Sequence, residues 1–130
     1  MKKSVLTMLD IFREAVRAFP HGAKLPGTGY TIKGPGKRQH EDAIIYLVPN
    51  RENPTKPSQK GVSASELRSA YDRLLSSGEF TRRWFNSAMN ECAKCAPCNF
   101  LAMGAMFVGL KLADKKHGLF TLRRSVPGIE

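Results

Sequence analysis

Cys92, Cys95 and Cys98 recur at three-residue steps, the spacing at which thiolates gather around zinc or an iron–sulfur cluster. Both kinds of centre take four protein ligands, and the chain has only these three cysteines, so His40 or His117 would have to fold back to complete a set. Cys92 also falls on the apolar side of a helical pattern, and an odd cysteine count argues against a disulfide framework. The run is expected to be free structural thiols, with no metal and no cofactor. His40, Glu41 and Asp42 stand together at the entrance to an apolar run, where acidic side chains can serve a nuclease metal. The next acid is Glu52, and no Glu-x-Lys or Asp-x-Lys pair follows on a strand, so a solvated strand end is expected and a metal-dependent nuclease ranks third. "GPGKRQ" lacks P-loop spacing, although its Gly34, Lys37 and Arg38 suit an isolated phosphate. With no Gly-x-Ser-x-Gly elbow, no catalytic residue is named and the balance lies against an enzyme.

A different chemistry, the reading of bases and phosphates, is offered by the stretch after Gly78. At about 100° per residue, Trp84, Phe85, Ala88, Met89 and Cys92 share one arc of a helix. Arg82, Arg83, Asn86, Ser87 and Asn90 share the other. Arginine pairs with guanine and asparagine with adenine in the major groove, so the outward set suits base readout. Both arginines lie in the first turn, where the helix dipole disfavours cations, a mild cost that points to a role outside the helix. Lys115, Lys116, Arg123 and Arg124 are the cations placed to touch phosphates beside it.

Several elements must position these groups. Val5, Met8, Leu9, Phe12, Val16 and Phe19 step by three and four through residues 4–19, an amphipathic helix with Ser4 as its cap and Pro20 and Gly22 as its stop. A short strand over residues 30–33 sits among glycine and proline turns. The continuous β-branched and aromatic run of residues 42–49 reads as a central strand buried on both faces. Residues 50–61 are polar with two prolines and read as an exposed or mobile loop. Ser63 and Glu66 form a capping box with Val62 and Leu67 as its hydrophobic staple, starting a helix that Gly78 ends in a left-handed cap. Thr81 caps the next helix, with Phe80 stapled onto Phe85.

The last part admits two readings. In the favoured one Asn99 caps a helix running from Phe100 to Lys116 and ended by Gly118; in the other the chain turns as a basic hairpin in the manner of a wing. The fold class expected is α+β, one domain over residues 1–130: an N-terminal helix, a short β-sheet, a helix-turn-helix-like pair over 63–92, a C-terminal apolar helix or wing hairpin, and a final strand. Over residues 63–124 that arrangement resembles helix-turn-helix and winged-helix domains, a likeness of architecture only.

Composition supports a polyanionic partner. The net charge is +10, with 11 basic and 5 acidic residues up to Val62 and 10 and 6 from Ser63 onward, so neither half is a dedicated basic tail. No signal peptide is read in the opening residues, and the longest apolar run is about half of the roughly 20 residues a membrane span needs. A soluble, cytoplasmic, non-catalytic nucleic-acid-binding protein, with DNA as the partner, is the leading expectation. The second is an interaction or small-ligand-binding protein that self-associates as a homo-oligomer through its apolar C-terminal part.

Overall fold

A computed structural model describes residues 6–123, so Ser4, Val5 and Arg124 lie outside the described residues. The first helical pattern is not continuous. Residues 6–8 are helical and the helix stops at Leu9, and helix α1, Ile11–Ala18, restarts behind Asp10, whose carboxylate accepts from the Arg13 amide at 3.1 Å. An Asp side chain competing for the backbone is the physical reason for the break. The carbonyls freed by it are served from the next helical layer: Arg68 donates to Leu9 and Thr7, and the Tyr71 hydroxyl donates to Leu6.

The first sheet is antiparallel in the order β1-β2-β3, with β1 Thr31–Arg38, β2 Glu41–Val48 and β3 Ser58–Ser63. β1 runs well past the short piece expected, because Gly34 at φ 141° takes up a register shift and lets the strand pass through Pro35. Gly36 is required by close approach, since a Cβ there would stand 2.6 Å from the Ile45 side chain. β2 is central as expected, but only Ile44 and Tyr46 of its large side chains are buried, while Ile45 and Leu47 on the opposite face are half covered. The exposed loop is shorter than expected. Residues 50–57 form it, folded on Asn50, whose side-chain oxygen accepts from the Glu52 and Asn53 amides. Ser58 to Gly61 belong to β3, a polar edge strand held by pairing to β2 rather than by apolar alternation.

Helix α2, Ala64–Ser77, begins with the expected capping box on Ser63 and Glu66 and ends on Gly78 at φ 81°. A two-residue strand, β4 Glu79–Phe80, leads to helix α3, Arg82–Ala88, whose first turn is capped by the Thr81 hydroxyl. The expected single helix through Cys92 divides at Met89 (φ −117°, ψ 45°), and α4, Asn90–Cys95, follows on a new axis. Ala88 is consequently exposed, and Trp84 is only half buried, lying under the Arg73 guanidinium at 5.6 Å.

Both C-terminal readings are part right. Helix α5, Asn99–Gly109, is present but stops well before Lys116, because the chain turns left-handed at Lys111 (φ 62°). The hairpin then forms from β5, Ala113–Lys116, and β6, Leu119–Leu122, across His117 and Gly118 at φ 47° and 81°. Gly118 is therefore a hairpin turn, not a helix cap. The second sheet has the order β4-β6-β5, and the molecule is a small α+β single domain. Its core centres on the rings of Phe80, Phe85, Phe100, Phe107 and Phe120.

Candidate functional site

Of the residues expected to face nucleic acid, the structure separates Arg82 from the rest. Its guanidinium donates to the Pro97 carbonyl at 2.9 Å and lies over the Phe100 ring at 4.6 Å. A side chain so held ties α3 to the turn before α5, and the first-turn arginine is explained by that bond. Arg83 and Asn86 are exposed on α3, and Asn90 is exposed at the start of α4. The break at Met89 puts Asn90 on a different helix axis from the other two.

The hairpin collects the other cations. Lys115 and Lys116 are exposed on β5, an edge strand of the second sheet among the described residues, paired to Phe120 and Leu119 across the hairpin. Arg123 is neutralised, with its Nε donating to Asp114 at 2.9 Å. Arg124 is outside the described residues. Helix α5, which lies between the helix pair and the hairpin, is built of apolar residues turned inward, and its only polar side chain, Asn99, is fully buried. It presents no donor to a base. The same packing absorbs most of the apolar surface that self-association was expected to use, and the one large hydrophobic residue strongly exposed among the described residues is Met8, at 85%.

The other candidate centres are occupied by the fold itself. Glu41 accepts from the Ser65 amide and hydroxyl, so this acid serves the N-terminus of α2, where negative charge is favoured. Asp42 pairs with Lys37 at 2.6 Å. Arg38 binds Glu66 at 2.9 and 3.2 Å, with both side chains mostly covered. The suggested phosphate site at Gly34, Lys37 and Arg38 is thus a piece of strand whose two cations already have carboxylate partners. Among the described residues, no group of three or more His, Cys, Asp or Glu side chains converges to hold a metal.

A buried polar knot was not legible as such in the sequence. The Asn99 amide donates to the Gly61 carbonyl at 2.9 Å and to the Cys92 sulfur at 3.3 Å, while its oxygen accepts from the Tyr46 hydroxyl. Asn99 is not the helix cap expected of it, since Cys98 occupies that position and Asn99 is turned into the protein. Burial pushes the Cys92 thiol up to about 12, with Asn99 opposing and Glu66 adding, so Cys92 is a neutral packing group. Burial also raises the Tyr46 hydroxyl, which keeps it a donor to Asn99 at all ordinary pH.

Glu66 has the opposite balance. Burial would raise its carboxyl, but hydrogen bonds from the Arg38 guanidinium and the Ser63 amide outweigh burial and hold it below the usual carboxylate range. A lowered folded value means stability that is present above the unfolded value of about 4.3 and is lost as pH falls through the folded one. Glu66→Ala should cost about 3 kcal/mol at neutral pH, because it removes a cap and leaves Arg38 without its anion. Glu66→Gln should flatten the acid limb of the urea midpoint plotted against pH. A limb as steep as in the wild type would assign it to other carboxylates.

None of the described helices is long and apolar enough to cross a membrane. No protein-family model, curated protein or solved structure matches the chain.

Proposed function

We propose that this protein binds nucleic acid, with duplex DNA as the first substrate to test, through the β5–β6 hairpin and the exposed start of α3. The observation that carries this reading is the hairpin: Lys115 and Lys116 stand exposed on an open strand edge, close to a turn through His117 and Gly118. The order helix, strand, helices and hairpin, with β4 paired to the last strand, supports it by its likeness to the connection pattern of winged-helix domains. Charge supports it too. Asp42, Glu66, Asp72 and Asp114 are engaged by internal cations, and the chain still holds a net +10.

The chemistry is that of phosphate contact more than base readout. Lys115, Lys116 and Arg83 contribute charge, Asn86 and Asn90 contribute amides, and Arg82 contributes only the position of α3. Binding should therefore be sequence-tolerant and fall steeply with salt as counterions are released. Fluorescence anisotropy against random duplex DNA and single-stranded RNA at two salt concentrations provides the test. In Arg83→Ala, Lys115→Ala, Lys116→Ala combined, duplex affinity at low salt should drop by about tenfold or more, with a shallower salt slope. Wild-type affinity in that variant would move the interface elsewhere. Absence of binding by the wild type at low salt would refute the function.

A further inference from the structure

Helices α2 and α3 leave between them a cleft of about 420 Å³, lined by Ser69, Asp72, Arg73 and Ser76 of α2 and by Trp84 of α3. The α2 residues recur at three- and four-residue steps and so share one face of that helix. Two of them are already engaged: Asp72 pairs with Arg68 at 2.9 Å, which cancels its charge, and the Ser76 hydroxyl donates to the Arg73 carbonyl at 3.3 Å. The Arg73 guanidinium is not. No carboxylate among the described residues pairs with it, and its Nε is the one buried side-chain nitrogen or oxygen among them that has no hydrogen-bond partner. The group lies instead over the ring of Trp84, 5.6 Å from its centroid, and Trp84 is itself only half buried. Buried donors are ordinarily bonded, and a ring face is a poor substitute for an acceptor oxygen. An arginine fork with an aromatic face beneath it and no anion beside it lacks one partner.

We propose that this cleft binds one unpaired nucleotide, with its phosphate on Arg73 and its base on Trp84. A phosphate presents two oxygens to the Nε and Nη edge of a guanidinium and accepts two parallel charge-assisted bonds, which gives the orphaned Nε its acceptor. Turning to make them lifts the guanidinium from the indole, and the ring face it vacates takes a base in its place. Ser69, exposed at the same cleft, supplies a hydroxyl to the phosphate or the sugar. With Asp72 neutralised by Arg68, the phosphate meets the uncompensated charge of Arg73. The base must be unpaired, because inside a duplex both of its faces are stacked on neighbours. The site uses neither Lys115 nor Lys116 and holds whether or not the hairpin binds duplex DNA.

Trp84 is the only tryptophan of the chain, so its fluorescence reports on this cleft. The intact protein is titrated with AMP, adenosine, inorganic phosphate and a short single-stranded oligo(dA). AMP should quench saturably, adenosine should bind about tenfold more weakly for want of the phosphate, and inorganic phosphate should displace AMP. Tighter binding of oligo(dA) than of AMP identifies a single strand as the source of the nucleotide; equal or weaker binding identifies the free nucleotide. Arg73→Gln should lower AMP affinity to that of adenosine. Quenching by neither AMP nor oligo(dA), equal affinity for AMP and adenosine, or full AMP affinity in Arg73→Gln would each overturn the proposal. The comparison of AMP with adenosine on the wild type decides the matter even if the variant fails to fold. AMP contains no duplex, so a failure here leaves the duplex measurement standing, and the reverse holds too.

Discussion

Phe80→Ala should be the most damaging single truncation of the core, lowering stability by about 4 kcal/mol. Phe80 is fully buried, and its ring lies within 4.9 to 6.4 Å, centroid to centroid, of Trp84, Phe85, Phe100, Phe107 and Phe120. It is also half of the two-residue strand β4, paired to Phe120 of β6. The cavity left by alanine could not collapse without moving α3, α5 and the hairpin together, which places the cost at the upper end for buried aromatics. Urea unfolding followed by the single tryptophan reads the loss directly. A loss under about 2 kcal/mol would mean that the aromatic cluster can repack around the gap.

Asn99→Ala should cost nearly as much, about 3 kcal/mol, for a different reason. The side chain is fully buried and its two ends serve the Tyr46 hydroxyl and the Gly61 carbonyl, so alanine leaves a donor and an acceptor without partners. Leaving such groups unmade costs about 1 to 3 kcal/mol each, on top of the lost packing. Tyr46→Phe in the same background should recover part of the loss by removing one orphan, a coupling that a double-mutant cycle measures. If the two substitutions were additive, the hydrogen bond between them would carry no energy.

What could be read ahead of the structure was whatever is decided within a few residues. The capping box of Ser63 and Glu66, the left-handed Gly78 and the Thr81 cap depend on neighbours three or four positions away, and all are found as expected. β3 was hidden because Ser58, Gln59 and Lys60 carry no strand pattern of their own and take their conformation from β2. The end of the chain was ambiguous for a similar reason: "KKHG" finishes a helix or turns a hairpin equally well. The choice falls to Lys111 and to pairing with β4, a strand too short to announce itself. The polar knot was out of reach, since Asn99 meets Tyr46 and Gly61 across 53 and 38 residues of chain. The bond made by Arg82 was out of reach on the same account. Its type and helical position suit a solvent face, and only the location of Pro97, 15 residues on, reveals the bond.

The open strand edges bear on how this molecule resists polymerising. Any unpaired edge is a template for another chain's strand, and among the described residues each sheet has two edge strands, the start of β1 being covered by residues 22–24. In the first sheet one edge is interrupted by Pro35, which has no amide proton to offer, and the other is the polar Ser58-Gln59-Lys60. In the second sheet β4 is only two residues long, and β5 carries Lys115 and Lys116 along its edge. Two strands bearing those lysines would repel on approach, so the charges assigned to phosphate contact also keep copies of the protein from zipping together. A substitution that discharges both should therefore raise the tendency to aggregate as well as test the proposed phosphate contact.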